Sequence, residues 1–126
     1  MSNIIFRQLI EFQSKTFTYI LGCSKTRQAI IIDPVDITAE RDVKLLKELN
    51  LTLKYAINTH MHADHITGTA NLKTLLPDVK SMISQASNAR ADIHITENSE
   101  IEFGEHKIRA ISTPGHTNAQ CANITT

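Results

Sequence analysis

The chain has 126 residues, 41% of them hydrophobic and 21% charged, with 13 basic and 13 acidic side chains and a formal net charge of zero. That is one soluble domain's worth of chain with an ordinary globular composition. It carries no basic block to attract nucleic acid, no apolar run long enough for a membrane helix, and no Trp for a base-stacking platform.

Ile4 to Phe12 is strongly apolar with Arg7, Gln8 and Glu11 interspersed, which reads as a first strand. Thr16 to Leu21 alternates β-branched and aromatic residues and stops at Gly22, a second strand. Gln28 to Pro34 holds the run Ile30-Ile31-Ile32, the mark of a buried central strand. These three are expected to pair consecutively and antiparallel. Asp33, at the end of the third, is read either as a group near a metal or as a turn residue. From Thr38 to Asn50 the period lengthens to three or four, with Val43, Leu46 and Leu49 forming an apolar stripe and Leu45 beside it, an amphipathic helix. Thr38 stands at its N-cap, Glu40 and Asp42 in its first turn, and Asn50 at its stop. Arg41, Lys44, Lys47 and Glu48 are expected on a solvated face.

The next strand, Leu53 to Asn58, runs into Thr59-His60-Met61-His62-Ala63-Asp64-His65. Imidazole is the commonest metal ligand. In extended chain, residues two apart point the same way, so His60 and His62 can reach one point together. Asp64 and His65 follow as the chain turns and can address a neighbouring point. Ile66 to Leu76 reads as a helix ended by Pro77, followed by a short strand at Lys80 to Ser84. A polar stretch through Ser87 and Arg90 then leads to Ala91–Ile95. Ser99 to Phe103 and His106 to Ile111 alternate on either side of Gly104-Glu105, a hairpin with a type II′ turn. His94 and His106 are read as strand residues rather than ligands. Thr113-Pro114-Gly115-His116-Thr117 is a rigid turn that offers another imidazole. Cys23 and Cys121 form no spaced framework, as suits a reducing compartment.

The histidine motif and the Pro-Gly-His-Thr turn, at this spacing, resemble the metallo-β-lactamase superfamily. That resemblance implies an α/β chain (α+β by strict usage) in an αββα sandwich, of which this sequence supplies roughly the N-terminal half. Within the superfamily the sequence is most similar to the persulfide dioxygenases, or sulfur dioxygenases, of the ethylmalonic-encephalopathy type. The residues that carry the likeness are Phe6-Arg7-Gln8-Leu9, Thr16 to Gly22, Ile32 to Val35 and Asn58 to Gly68. Glyoxalase II enzymes usually carry Trp where this chain has Ala63.

The resemblance implies a mononuclear Fe(II) site, with zinc as the alternative, in which His60 and His116 are ligands. A third ligand, an Asp, comes from a later strand. His62, Asp64 and His65 would be outer groups or second-metal positions. The implied reaction is O₂-dependent oxidation of glutathione persulfide to sulfite and glutathione, part of hydrogen sulfide catabolism in the mitochondrial matrix. A second copy of the chain, in a homodimer, is also among the expected partners. No presequence is clear in Met1 to Ile10, which keeps a cytoplasmic location as the alternative.

After Thr117 the sequence departs from the family. Residues 1–117 read as the first part of the domain and 118–126 as a divergent tail. No Asp follows His116, and the last aspartate is Asp92. The expectation is therefore a truncated product with little activity of its own. Two other readings stay open: a thioester hydrolase like glyoxalase II with a dinuclear site, and an inactive isoform that binds metal weakly or serves as a binding module.

Overall fold

The run Ile30-Ile31-Ile32 shows how the molecule is layered. Successive strand residues face opposite ways, so a continuous apolar run has to be covered on both sides. Ile31 lies in one hydrophobic cluster and Ile30 and Ile32 in another. A computed structural model describes residues 3–13, 15–58, 68–84, 91–96 and 98–110.

The described strands are β1 (Ile4–Glu11), β2 (Thr16–Cys23), β3 (Gln28–Ile32), β4 (Thr52–Asn58), β5 (Lys80–Ser84) and β6 (Ile93–Ile95). They form one sheet in the order β1-β2-β3-β4-β5-β6. The first three pair antiparallel, as their sequence signals predict, with Arg7 opposite Ile20 and Leu21 opposite Ile30. From β3 to β6 the pairing is parallel. Parallel neighbours need a crossover, and helices α1 (Ala39–Glu48) and α2 (Gly68–Leu75) lie in the first two connections.

Both helices cover one face of the sheet. Val43, Leu46 and Leu72 meet Ile20, Ile31 and Leu53 there. The hairpin of β7 (Glu100–Phe103) and β8 (His106–Arg109) covers part of the other face, where Ile101, Phe103 and Ile108 meet Leu21, Ile30, Ile57 and Met82. Phe103 is fully enclosed, a burial that stabilises by about 2–3 kcal/mol. At the hairpin tip Gly104 has φ +64°, the positive value its type II′ position requires, and its N–H donates to Gln28 Oε1 at 2.9 Å. A side chain at Gly104 would collide with Cys23 and Thr26. Cys23 is a free, fully buried thiol; burial pushes its pKa up, but hydrogen bonds from Glu105, Thr26 and Lys25 outweigh that and bring it down to about 6.

The ends of α1 differ from the sequence expectation in one detail. Thr38 occupies the N-cap position, but its hydroxyl donates to the Val35 carbonyl at 3.2 Å rather than capping the helix. A 3-10 turn over Asp36–Thr38 already brings the chain into the helix. At the other end Asn50 has φ +57°; its N–H donates to Lys47 O and that of Leu51 to Leu46 O. This is the Schellman arrangement, with Leu46 and Leu51 both in the core beneath it. Arg41 also departs from the expected solvated face: its guanidinium donates to the Ile10 carbonyl at 2.8 Å and to Asp42 Oδ1 at 3.1 and 3.2 Å.

Candidate metal centre

Parallel strands deliver their C-terminal ends to one edge, and open α/β sheets commonly place their sites along that edge. Here β3 ends at Ile32 and β4 at Asn58, with Asn58 opposite Ile83 of β5. The first histidine of the motif, His60, comes two residues beyond Asn58.

The backbone beneath this edge is tightly specified. Asp33 follows β3 in the left-handed region, φ +56°, a conformation that costs a non-glycine residue of the order of 1 kcal/mol or more. Two hydrogen bonds hold it there. Its N–H donates to Ile57 O at 2.7 Å, and its carbonyl accepts the Thr18 hydroxyl at 2.8 Å. Thr18 is completely enclosed and Asn58 nearly so. The ends of β2, β3 and β4 are therefore locked together just before the chain enters the motif. The backbone of Asp33 turns the chain out of β3. Sequence could not single out Thr18, because a Thr in an alternating strand looks like an ordinary β-former.

His60, His62, Asp64, His65 and His116 all lie outside the described residues. Among the described residues no group of three or more His, Cys, Asp or Glu could hold a metal ion. His94 and His106 are described, and they lie on strands β6 and β8. His106 packs its ring against Phe103, centroids 5.7 Å apart. The chemistry of the motif's donor set, neutral imidazoles with a carboxylate, fits a divalent first-row metal such as Fe(II) or zinc.

The parallel edge, the crossover helices and the motif after β4 agree with a match to the family model over residues 14–122: the chain belongs to the metallo-beta-lactamase superfamily. That span includes all five motif residues. The sequence is 52% identical over 114 residues to the mitochondrial persulfide dioxygenase ETHE1 of Mus musculus, covering 90% of this chain and 45% of that protein. It is 36% identical over 104 residues to a probable hydroxyacylglutathione hydrolase of Schizosaccharomyces pombe, covering 80% of this chain and 40% of the other. The crystal structure of ETHE1 from Myxococcus xanthus superposes with a TM-score of 0.86 at 37% identity, over 93% of this chain and 52% of that one. The fold is accordingly the metallo-β-lactamase fold, and the chain spans about half the length of the relatives it matches.

Proposed function

We propose that this chain contributes the metal-holding edge of a persulfide dioxygenase, with His60 and His116 as Fe(II) ligands. The observation that supports the reading most is the 52% identity over 114 residues to a persulfide dioxygenase, against 36% to a probable hydroxyacylglutathione hydrolase. When bound, Fe(II) supplies the redox chemistry with O₂ that side chains lack. The two imidazoles serve as ligands in their neutral form, so they need no buried charge of their own. His62, Asp64 and His65 orient those rings and fix their tautomers, as outer partners of metal ligands do. The carboxylate that completes a two-His-one-carboxylate set is not among residues 117–126, which contain no Asp or Glu.

The substrates are glutathione persulfide and O₂. The terminal sulfur leaves as sulfite, the inner sulfur stays as the glutathione thiol, and water provides the third sulfite oxygen. Residues 1–117 form the first part of the domain, the location is the mitochondrial matrix, and two copies associate as a homodimer.

The natural protein that carries this sequence should contain iron. Given glutathione persulfide, it should consume O₂ with one sulfite formed per O₂, and His60→Ala should abolish both. Stoichiometric zinc without O₂ uptake would sink the proposal. The similarity to a hydroxyacylglutathione hydrolase supports a second reading. There His60, His62 and His116 would hold one metal, Asp64 and His65 would help hold another, and thioester cleavage would proceed without oxygen.

A further inference from the structure

Helix α2 starts at Gly68, with only two residues between it and His65. Whatever fixes the seat and roll of α2 therefore fixes where the histidine loop returns to the fold. Three consecutive residues do this, each in its own direction, because neighbours on a helix point about 100° apart. Leu72 points into the core and is fully enclosed. Asn71 Nδ2 donates to the Asp36 carbonyl at 3.2 Å, tying one flank to the turn before α1. Lys73 forms an ion pair with Asp92, tying the other flank to the β5–β6 side.

The Asp92 end of that tie is prearranged. Its Oδ2 accepts the Ser81 backbone N–H at 2.9 Å and the Ser81 hydroxyl at 3.3 Å, and its own N–H donates to Ser81 Oγ at 2.9 Å. Ser81 belongs to β5 and is buried. The carboxylate thus stands on the sheet, held by groups that do not depend on α2. Lys73 beside it, together with Ser81, holds the Asp92 carboxyl down at about 2, so the anchor keeps its charge throughout the working pH range.

We propose that Lys73 is a positioning residue for the metal loop, acting through its clamp on Asp92 and Ser81. The proposal rests on the metal reading of His60 to His65. A partly exposed ion pair adds little to global stability, so its value lies in setting the roll of one helix. Sequence gives no access to this, since Lys73 and Asp92 are 19 positions apart and each looks like ordinary surface charge.

The test uses Co(II) alone as the probe, titrated into the natural protein that carries this sequence, with affinity from chelator competition and geometry from the visible absorption band. Lys73→Met, which keeps most of the stem and removes the charge, should weaken Co(II) by about tenfold, the lower end of what outer-group losses cost, and should shift the band. Asp92→Asn should move both readings the same way. Lys73→Arg, which can still donate to Asp92, should recover most of the affinity. Lys107→Met breaks the Lys107–Glu100 pair on the hairpin and should leave Co(II) binding unchanged. Wild-type affinity and spectrum in Lys73→Met would overturn the proposal. So would an affinity loss that merely follows the unfolded fraction in a melting curve. A wild-type natural protein that takes up no Co(II) would remove the metal reading itself, and the clamp's role with it.

Discussion

Asp42 is a carboxylate that the fold encloses without fully satisfying. It is completely buried on α1; Oδ1 accepts from Arg41, and Oδ2 finds no hydrogen-bond partner among the described residues. Burial pushes its pKa up from 3.8 to about 6, against the opposing pull of the Arg41 guanidinium. A carboxyl whose folded pKa is raised takes up its proton more readily in the fold. Its favourable contribution is therefore present below about pH 4 and is lost as pH rises to about 6. Asp42→Asn keeps an oxygen for Arg41 but carries no charge. In chemical denaturation of the metal-free protein it should match the parent near pH 4 and exceed it by about 1 kcal/mol at pH 7.5. A parent that is the more stable at pH 7.5 would show that the Arg41 pair outweighs the burial. Thr18→Val isolates the anchor under the site edge: losing the hydroxyl donated to Asp33 should destabilise by about 1 kcal/mol. Neither role is visible in sequence. Asp42 reads there as a charge in the first turn of a helix, which is where it sits, but the stripe it falls on faces inward.

Among the elements, α1 is the clearest case of a local signal being realised. The 3.6-residue stripe of Val43 and Leu46 is buried, and Asn50 is the left-handed stop that its type suggests. Asn50→Gly should be tolerated, whereas Asn50→Val, β-branched in a left-handed conformation, should cost about 1–2 kcal/mol in the same denaturation measurement. The hairpin of β7 and β8 is equally legible, because its turn residue and its alternation agree. What the elements pair with is not. The apolar character of Leu53 says that it faces inward, yet it cannot say that β4 lies parallel to both β3 and β5. That depends on helices crossing the sheet, a property of the whole chain. The site is legible only as a donor set: the motif names its residues, while Thr18, Lys73 and Asp92 are assembled by tertiary structure.

At the scale of the molecule, the two faces of the sheet are treated differently. Among the described residues, helices α1 and α2 cover one, and the hairpin covers part of the other. Phe6 and Phe17 are each 46% exposed, and by strand parity they share the second face with Ile4 and Tyr19. Phe6 and Tyr19 form an aromatic pair, centroids 6.0 Å apart, at the β1–β2 end. Apolar side chains grouped this way are a surface that binds other apolar surface. The isolated chain should therefore bind a hydrophobic dye and associate as its concentration rises in size-exclusion chromatography. The double variant Phe6→Ser, Phe17→Ser should reduce both. A parent chain that stays monomeric and dark to the dye would argue against this.

Everything proposed for the site rests on His60 and His116 as the residues that hold Fe(II). Anaerobic Fe(II) titration of the natural protein and its His60→Ala, His116→Ala, His94→Ala and His106→Ala variants decides it. One iron per parent chain is expected, with binding falling away below about pH 6 as the imidazoles protonate. Binding should be lost in His60→Ala and in His116→Ala and kept in the two strand-histidine variants. Full binding in either His60→Ala or His116→Ala, or its loss in His94→Ala, would contradict the assignment.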